Sequence, residues 1–391
     1  MQITLPDYVK KCINTIENAG YEAFCVGGAV RDSISVLAVP SDFDIAVNCP
    51  PDVTLSLFER AIPTGIEHGT VTVIIDQKPI EVTTYRIDGD YSDARHPNSV
   101  SFVGNIKEDL ARRDFTVNAI AYNEKNGIFD PFCGCEDIKS KILRTVGDPA
   151  KRFCEDSLRI MRLFRFASQL GFCIEENTLK CAIENIPLLK NISAERIFSE
   201  LVKMLNGEFL CLTAPFFSSG GLKNHGITPC DIEKISALPR DAVLRFAALC
   251  IIADCDAENT CRLLKTDNEF RNSISAIIRL YEGDTPTSRA DIKHGLAECD
   301  SKDYFRFLTL LSLKGINTDS LIKECQDILS KDEPYLIKHL LLDGNDLLSM
   351  EIAGKEIGNA LRFLQNEVIE NKEQNTKENL KNLITKRFFR S

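Results

Sequence analysis

The chain has 391 residues, 44% of them hydrophobic, and a formal charge of −10. That length exceeds one ordinary hydrophobic core and predicts roughly two to four structural units in an ordered, soluble protein. The acidic balance argues against wholesale coating of a nucleic acid, because phosphate affinity accumulates from Lys and Arg. The first residues lack a basic region followed by an apolar run, and no apolar stretch approaches the ~20 residues that span a bilayer. The expectation is a cytoplasmic protein with no membrane partner. Fifteen cysteines, an odd number without framework spacing, read as reduced core thiols. The closest pair, Cys133 and Cys135, has neither zinc-knuckle spacing nor nearby His or Cys partners, so no zinc site is assigned.

Residues 6 to 19 carry helically spaced apolar side chains and stop at Gly20; Tyr21 to Val26 reads as a strand running into Gly27-Gly28 and then a helix. The segments Asp42 to Val47, Thr70 to Ile75 and Ile80 to Tyr85 are rich in β-branched residues and predict further strands of one sheet. The first ~140 residues therefore form an α+β head. Asp148-Pro149 marks a helix start, with Asp as N-cap and Pro where its missing N–H costs nothing. Beyond it, residues 149 to 205 predict amphipathic helices, with breaks at Thr213 to Cys230 and near Gly283 to Thr287. The polar stretch Glu370 to Glu378 reads as a solvated helix face or loop, and no solenoid repeat is present. Between Lys139 and Arg165, eight basic residues stand against three acidic ones, a confined basic face suited to a nucleotide or an RNA end.

Two constellations carry chemistry. Gly27-Gly28-Ala29-Val30-Arg31-Asp32 places paired glycines between a strand and a helix, where backbone N–H groups approach phosphates and Arg31 can clamp one. Asp42-Phe43-Asp44 follows; on a strand its two carboxylates share a face and can share hard cations. Glycine pairs also make plain turns, and Asp-x-Asp also sits in solvated loops. The order strand, glycine turn, helix, acidic strand favours nucleotidyl transfer. Neither a G-x-x-x-x-G-K-[ST] loop nor the three-glycine dinucleotide fingerprint fits. Glu81, on a predicted strand of the same sheet, is a candidate auxiliary carboxylate; the alternative is an exposed strand Glu.

These residues, followed by Glu81 to Arg86, Asp109 to Ala119, Gly147 to Arg159 and Ala194 to Ile197, resemble in order the motifs of class II CCA-adding tRNA nucleotidyltransferases, a family shared with bacterial poly(A) polymerase. The resemblance implies a polymerase-β-like nucleotidyltransferase head (1–148) with a mixed sheet. An all-α neck carrying a nucleotide-selecting template (149–212), a body (213–325) and a tail (326–391) would follow. It implies addition of C, C and A to a tRNA 3′ end from CTP and ATP, with Asp42 and Asp44 holding catalytic Mg²⁺ and Glu81 assisting. CC-adding, A-adding and poly(A)-forming enzymes, and an inactive RNA-binding relative, are the alternatives.

Gly27, Gly28, Arg31 and Asp32 would bind nucleotide in this picture. Arg113-Asp114 with Asn118 resembles the family's ribose and phosphate motif, with Asp114 on the sugar hydroxyls; by charge pattern alone it reads as a solvated cluster. Glu155-Asp156-x-x-Arg159 resembles its amino-acid template. There Asp156 can accept from the exocyclic amine of C or A while Arg159 donates to the adjacent ring acceptor. The plainer reading is a helical salt bridge worth ~0.2–0.5 kcal/mol. Arg162 and Arg165 drift ~60° per three-residue step from Arg159, so they reach phosphates or buttress the template, while Leu158, Met161, Leu163, Phe164 and Phe166 read as core. Arg86 to Val100 resembles the flexible loop tied to the switch from adding C to adding A. Ser33 to Ser41 departs from the family by lacking a Gly and running one residue longer. No histidine precedes an Asp, so no phosphohydrolase activity is expected. The C-terminal third resembles the family more loosely, and Lys381, Lys386, Arg387 and Arg390 would either touch tRNA phosphates or belong to a solvated tail.

Overall fold

In this computed structural model, residues 3–35, 40, 42–88 and 100–389 are described. The chain divides into two compact units, Met1–Ser236 with Leu263–Lys265, and Ala237–Arg262 with Thr266–Ser391. The first begins with helix α1 (Asp7–Asn18), whose buried Val9, Cys12, Ile13 and Ile16 repeat at helical spacing. Strand β1 (Ala23–Val26) then runs to Gly27, whose φ of 73° is accessible to glycine at little cost. Helix α2 (Gly28–Ser35) leaves that turn directly. The rest of the departure from the family pattern, residues 36–39 and 41, lies outside the described residues.

The remaining head elements are β2 (Asp44–Val47), α3 (Pro51–Leu57), β3 (Ala61–Gly65), β4 (Thr70–Ile75), β5 (Lys78–Thr84), β6 (Arg86–Asp88), β7 (Val100–Phe102), α4 (Ile106–Ala111), β8 (Ala121–Asn123), β9 (Gly127–Phe129) and α5 (Gly134–Ser140). Among the described residues seven strands form one sheet in the order β3-β4-β5-β2-β1-β8-β9. Only β2 and β5 run parallel within it, so the sheet is mixed as expected. β6 and β7 pair separately across residues 89–99, so most of the loop expected at 86–100 lies outside the described residues. Phe24, Val26 and Ala46 face one side of the sheet and pack with Tyr85, Ile106, Leu110 and Ala119 into a core. Register puts Asp44 opposite Val26, on this same face and at its open edge.

Helix α6 (Pro149–Glu155) starts as the sequence predicts: Asp148 accepts from the N–H of Ala150, and Pro149 opens the first turn. α6 stops at Glu155, and α7 (Leu158–Leu170), α8 (Glu176–Glu184) and α9 (Ala194–Leu205) follow. The region expected as a break at 213–230 holds short helical turns, including Ala214–Ser218. The second unit is helical throughout its described residues. Its helix Asn268–Glu282 ends at Gly283 and the next begins at Arg289 behind a Ser288 capping box, which matches the expected break. Residues 370–378 end one helix, make a short turn and start another. The fifteen cysteines form no disulfide, but only Cys12, Cys25, Cys49, Cys250, Cys261 and Cys325 are buried, so most are not core thiols. No described helix is long and apolar enough to cross a membrane.

Candidate active site

The glycine turn, the start of β2, the segment after α4 and helix α7 converge on a cleft of about 370 Å³. Of the sequence-predicted residues, Gly27, Gly28, Arg31 and Asp44 line it from the head sheet and α2. Arg113, Asp114 and Asn118 line a second wall, and Asp156, Arg159 and Arg162 a third. Arg112 and Phe166 also line it, and neither was singled out as a site residue from sequence. Asp32, Asp42, Glu81 and Arg165 stand outside this lining.

Asp44 opens to the cleft as the first residue of β2, in register with Glu81 on parallel β5, so the two carboxylates are lateral neighbours on one face. Desolvation raises the Asp44 carboxyl above its ordinary value; Arg113 opposes that, and the charges of Glu81 and Asp42 add to it. Asp42 is exposed and precedes the strand instead of lying on it. The chain turns away at Gly27 just beyond the Val26–Asp44 pair, and Pro79, in line with position 42 on β5, brings no N–H to the ladder. The shared strand face expected for Asp42 and Asp44 is therefore replaced by a strand-end carboxylate and one on the lead-in.

A Cβ on Gly27 would stand 3.2 Å from Arg113 Nη1 and 3.8 Å from Asp44 Oδ2, so the glycine keeps the approach to both open. Arg113 is aimed by Asp109, whose Oδ2 accepts from its Nη2 at 3.2 Å, while Arg112 donates to Oδ1 through Nε and Nη2. Asp109 is 1% exposed; desolvation is outweighed by Arg113 and Arg112, which hold its carboxyl below the ordinary range. Arg112 and Arg113 are thus cleft-wall residues anchored on a buried carboxylate, and with Asp114, itself buried, they are not a solvated charge cluster.

A second chain of polar contacts crosses the cleft. Arg31 donates to Asp32 Oδ1 at 2.8 Å and to Asn118 Oδ1 at 2.7 Å, and Asn118 Nδ2 donates to Asp114 Oδ1 at 3.1 Å. Asp114 Oδ1 also accepts from the Phe115 N–H, and Oδ2 accepts twice from Arg162. Against a desolvation that would raise it, these donors hold the Asp114 carboxyl well below the usual range. Arg165 is turned to Glu200 at 2.7 Å, so it buttresses the wall and does not line the cleft.

The template segment is not one continuous helix. α6 ends at Glu155, and Asp156 has extended backbone and accepts from the Leu158 N–H, the first of α7, at 3.0 Å. Arg159, 7% exposed, pairs with Glu155 at 2.9 Å and donates to the carbonyls of Arg152 and Arg112 at 3.1 and 3.0 Å. The salt bridge of this segment is thus Glu155–Arg159, made across the helix break and not within one helix. The cation paired with Asp156 is Arg196, at 3.8 Å, from the Ala194 to Ile197 motif. Desolvation raises the Asp156 carboxyl, opposed chiefly by Arg196.

Comparison with known proteins gives the family. The family model described as "Poly A polymerase head domain" matches residues 23–144, and the tRNA nucleotidyltransferase domain 2 model matches residues 240–384. The CCA-adding enzyme of Geobacillus thermodenitrificans (strain NG80-2) is 46% identical over 60% of this chain, a segment that spans 57% of that relative. The CCA-adding enzyme of Geobacillus sp. (strain WCH70) is 35% identical over 94% of both chains. The crystal structure of the Bacillus stearothermophilus CCA-adding enzyme in complex with CTP superposes with a TM-score of 0.84 at 30% identity, covering 98% of each chain. The chain belongs to the CCA-adding enzyme family of tRNA nucleotidyltransferases.

Proposed function

We propose that this protein adds C, C and A to the 3′ end of tRNA from CTP and ATP, releasing pyrophosphate, and does so in the cytoplasm. The observation that carries this reading is the meeting, in one cleft, of a strand-end carboxylate, Asp44, with a glycine turn at a helix start and the pair Asp156 and Arg159. Head (1–148), neck (149–212), body (213–325) and tail (326–391) are the working division of that machine.

The acceptor's terminal ribose hydroxyl attacks the α-phosphorus in line, an O–P bond forms, and the bond to pyrophosphate breaks. The Gly27-Gly28 turn and the first N–H groups of α2 cradle phosphates, with Arg31, Arg113 and Arg162 supplying cationic walls. Asp156 accepts from the exocyclic amine of C or A. Arg159 uses three of its N–H donors on protein oxygens, which leaves two of the five for the base edge. U and G present the opposite arrangement and are rejected.

Asp42 and Asp44 would hold Mg²⁺: both offer hard oxygen donors, and at Asp44 burial raises the carboxyl, with Glu81 and Asp42 adding like charge that a cation would relieve. A cation held by these two carboxylates would supply charge stabilisation for the attacking hydroxyl and for the leaving group. Glu81 assists from the neighbouring strand.

The test is extension of three purified tRNAs, lacking CCA, ending in CC and ending in CCA, with each nucleotide alone. Addition of C to the first and A to the second, with none to the third, is expected. Addition of C alone, A alone, or a long A tail would replace this reading with a CC-adding, A-adding or poly(A)-forming enzyme, and no extension would leave an RNA-binding relative.

A further inference from the structure

Helix α7 carries one aromatic side chain whose surroundings are unlike those of a plain core residue. The Phe166 ring has three guanidinium groups about it: Arg165 at 3.9 Å from the ring centroid, Arg31 at 5.2 Å and Arg162 at 5.4 Å. Arg31 comes from α2 and the two others from α7, so the ring joins the head to the first helices behind it. Phe166 is 6% exposed, and the ring of the fully buried Phe115 meets it at 5.8 Å and 85°. That contact fixes its plane.

Three like charges about one point repel. Each has its own carboxylate: Asp32 for Arg31 at 2.8 Å, Asp114 for Arg162 at 2.6 Å and Glu200 for Arg165 at 2.7 Å. These carboxylates come from different parts of the chain, and the ring is the neighbour that all three cations share. An aromatic face carries negative potential and attracts a guanidinium, whereas an aliphatic side chain of similar bulk does not. Burial lowers the Arg165 pKa to about 10; Glu200 opposes this, and the charges of Arg162 and Arg31 add to it.

We propose that Phe166 is a positioning residue for the nucleotide's phosphates: its ring holds Arg31 and Arg162 at fixed directions in the cleft, backed by Arg165. Its action is through the two arginines, which line the cleft while Arg165 does not. The inference rests on the reading of this cleft as a nucleotide site.

The experiment is calorimetric titration of ATP, CTP and adenosine into the full-length protein. It compares wild type, Phe166→Leu, Phe166→Tyr and a protein carrying pentafluorophenylalanine at position 166, which keeps the shape and removes the negative face. The leucine and pentafluoro proteins should bind ATP and CTP roughly tenfold more weakly, with adenosine changed less than about twofold and tyrosine close to wild type. The pentafluoro protein carries the comparison if the leucine variant does not fold. Unchanged ATP affinity in the pentafluoro protein overturns the proposal, as does an equal loss for ATP and adenosine, which would mean a packing role. A wild type that binds no nucleotide overturns the nucleotide reading itself, and the Phe166 proposal with it.

Discussion

Arg162 grips Asp114 through Nε and Nη2, both on Oδ2, at 2.8 and 2.6 Å. The other oxygen takes the Phe115 N–H and Asn118, so the four acceptor positions of this carboxylate are filled. Asp114, expected from the family resemblance to hold ribose hydroxyls, can do so only by exchanging one of these donors. Asp114→Ala should therefore cost stability as well as activity. Arg162 is partly exposed, its side chain at 34%, so the loss should be about 2–3 kcal/mol, below that of a fully buried pair. Urea denaturation at neutral pH measures it, and a change under about 0.5 kcal/mol would contradict the assignment.

The same contact has a pH signature. The folded-state pKa of Asp114 is depressed, so its stabilisation is complete above the unfolded carboxylate value of about 3.9 and is lost as pH falls through the folded value. Asp114→Asn removes a titrating group and should show a smaller fall in melting temperature than wild type between about pH 5 and pH 3. Parallel curves would show that the carboxylate does not contribute in that range.

Base choice should depend on Glu155 as well as Asp156. Glu155 holds Arg159 in place at 2.9 Å, so Glu155→Gln should loosen the reader without removing it, while Asp156→Ala removes the acceptor for the exocyclic amine. Discrimination of CTP against UTP, as a ratio of kcat/KM, should fall about 10-fold for Glu155→Gln and about 100-fold for Asp156→Ala. Equal discrimination in all three proteins would remove the template role.

In the second unit, Glu333 is 7% exposed and accepts from Lys293 at 2.8 Å and from Arg289 at 3.1 Å. Arg289, followed by Lys293, lowers its pKa from 4.5 to about 2 against desolvation. Because the folded value is the lower one, this stabilisation is present above about pH 4.5 and disappears as pH falls towards 2. Glu333→Ala leaves Lys293, 3% exposed, buried with its main partner gone, and should destabilise by about 3–5 kcal/mol at pH 7. Thermal melts of wild type and variant should converge as the pH is lowered; melts that stay apart by the same margin at pH 3 would refute the account.

Much of the head was legible because its signals are local. The glycine turn, the β-branched strands and the Asp148-Pro149 cap are each written within a few residues, and each is present, although β2 starts at Asp44 and not at Asp42. Short strands such as β8 and β9 were missed; each has three residues, too few for an alternation to stand out. The walls of the cleft were found only in part. Arg113, Asp114, Asn118 and the template segment came from the family resemblance, since by charge pattern alone they resemble solvated clusters. Which carboxylate pairs with which arginine was not legible. Glu155 and Asp156 are adjacent, and a helix break between them, which residue spacing does not reveal, gives Arg159 to the first and leaves Arg196 for the second. Phe166 is buried, as its helical spacing predicts, but the three arginines that surround it come from two separate elements and were not legible.

The proposed reaction depends on Asp44 at the start of β2 and on Asp42 in the lead-in to it. The direct measurement is incorporation of radiolabelled CMP and AMP into a tRNA lacking its CCA end, by wild type and by the double variant Asp42→Ala/Asp44→Ala, both shown to be folded. Wild type should complete the terminus, and the variant should be slower by at least about 10³-fold, as loss of charge stabilisation at a transferring phosphoryl group predicts. A variant that still extended the tRNA at a wild-type rate would contradict the claim that Asp42 and Asp44 carry the reaction.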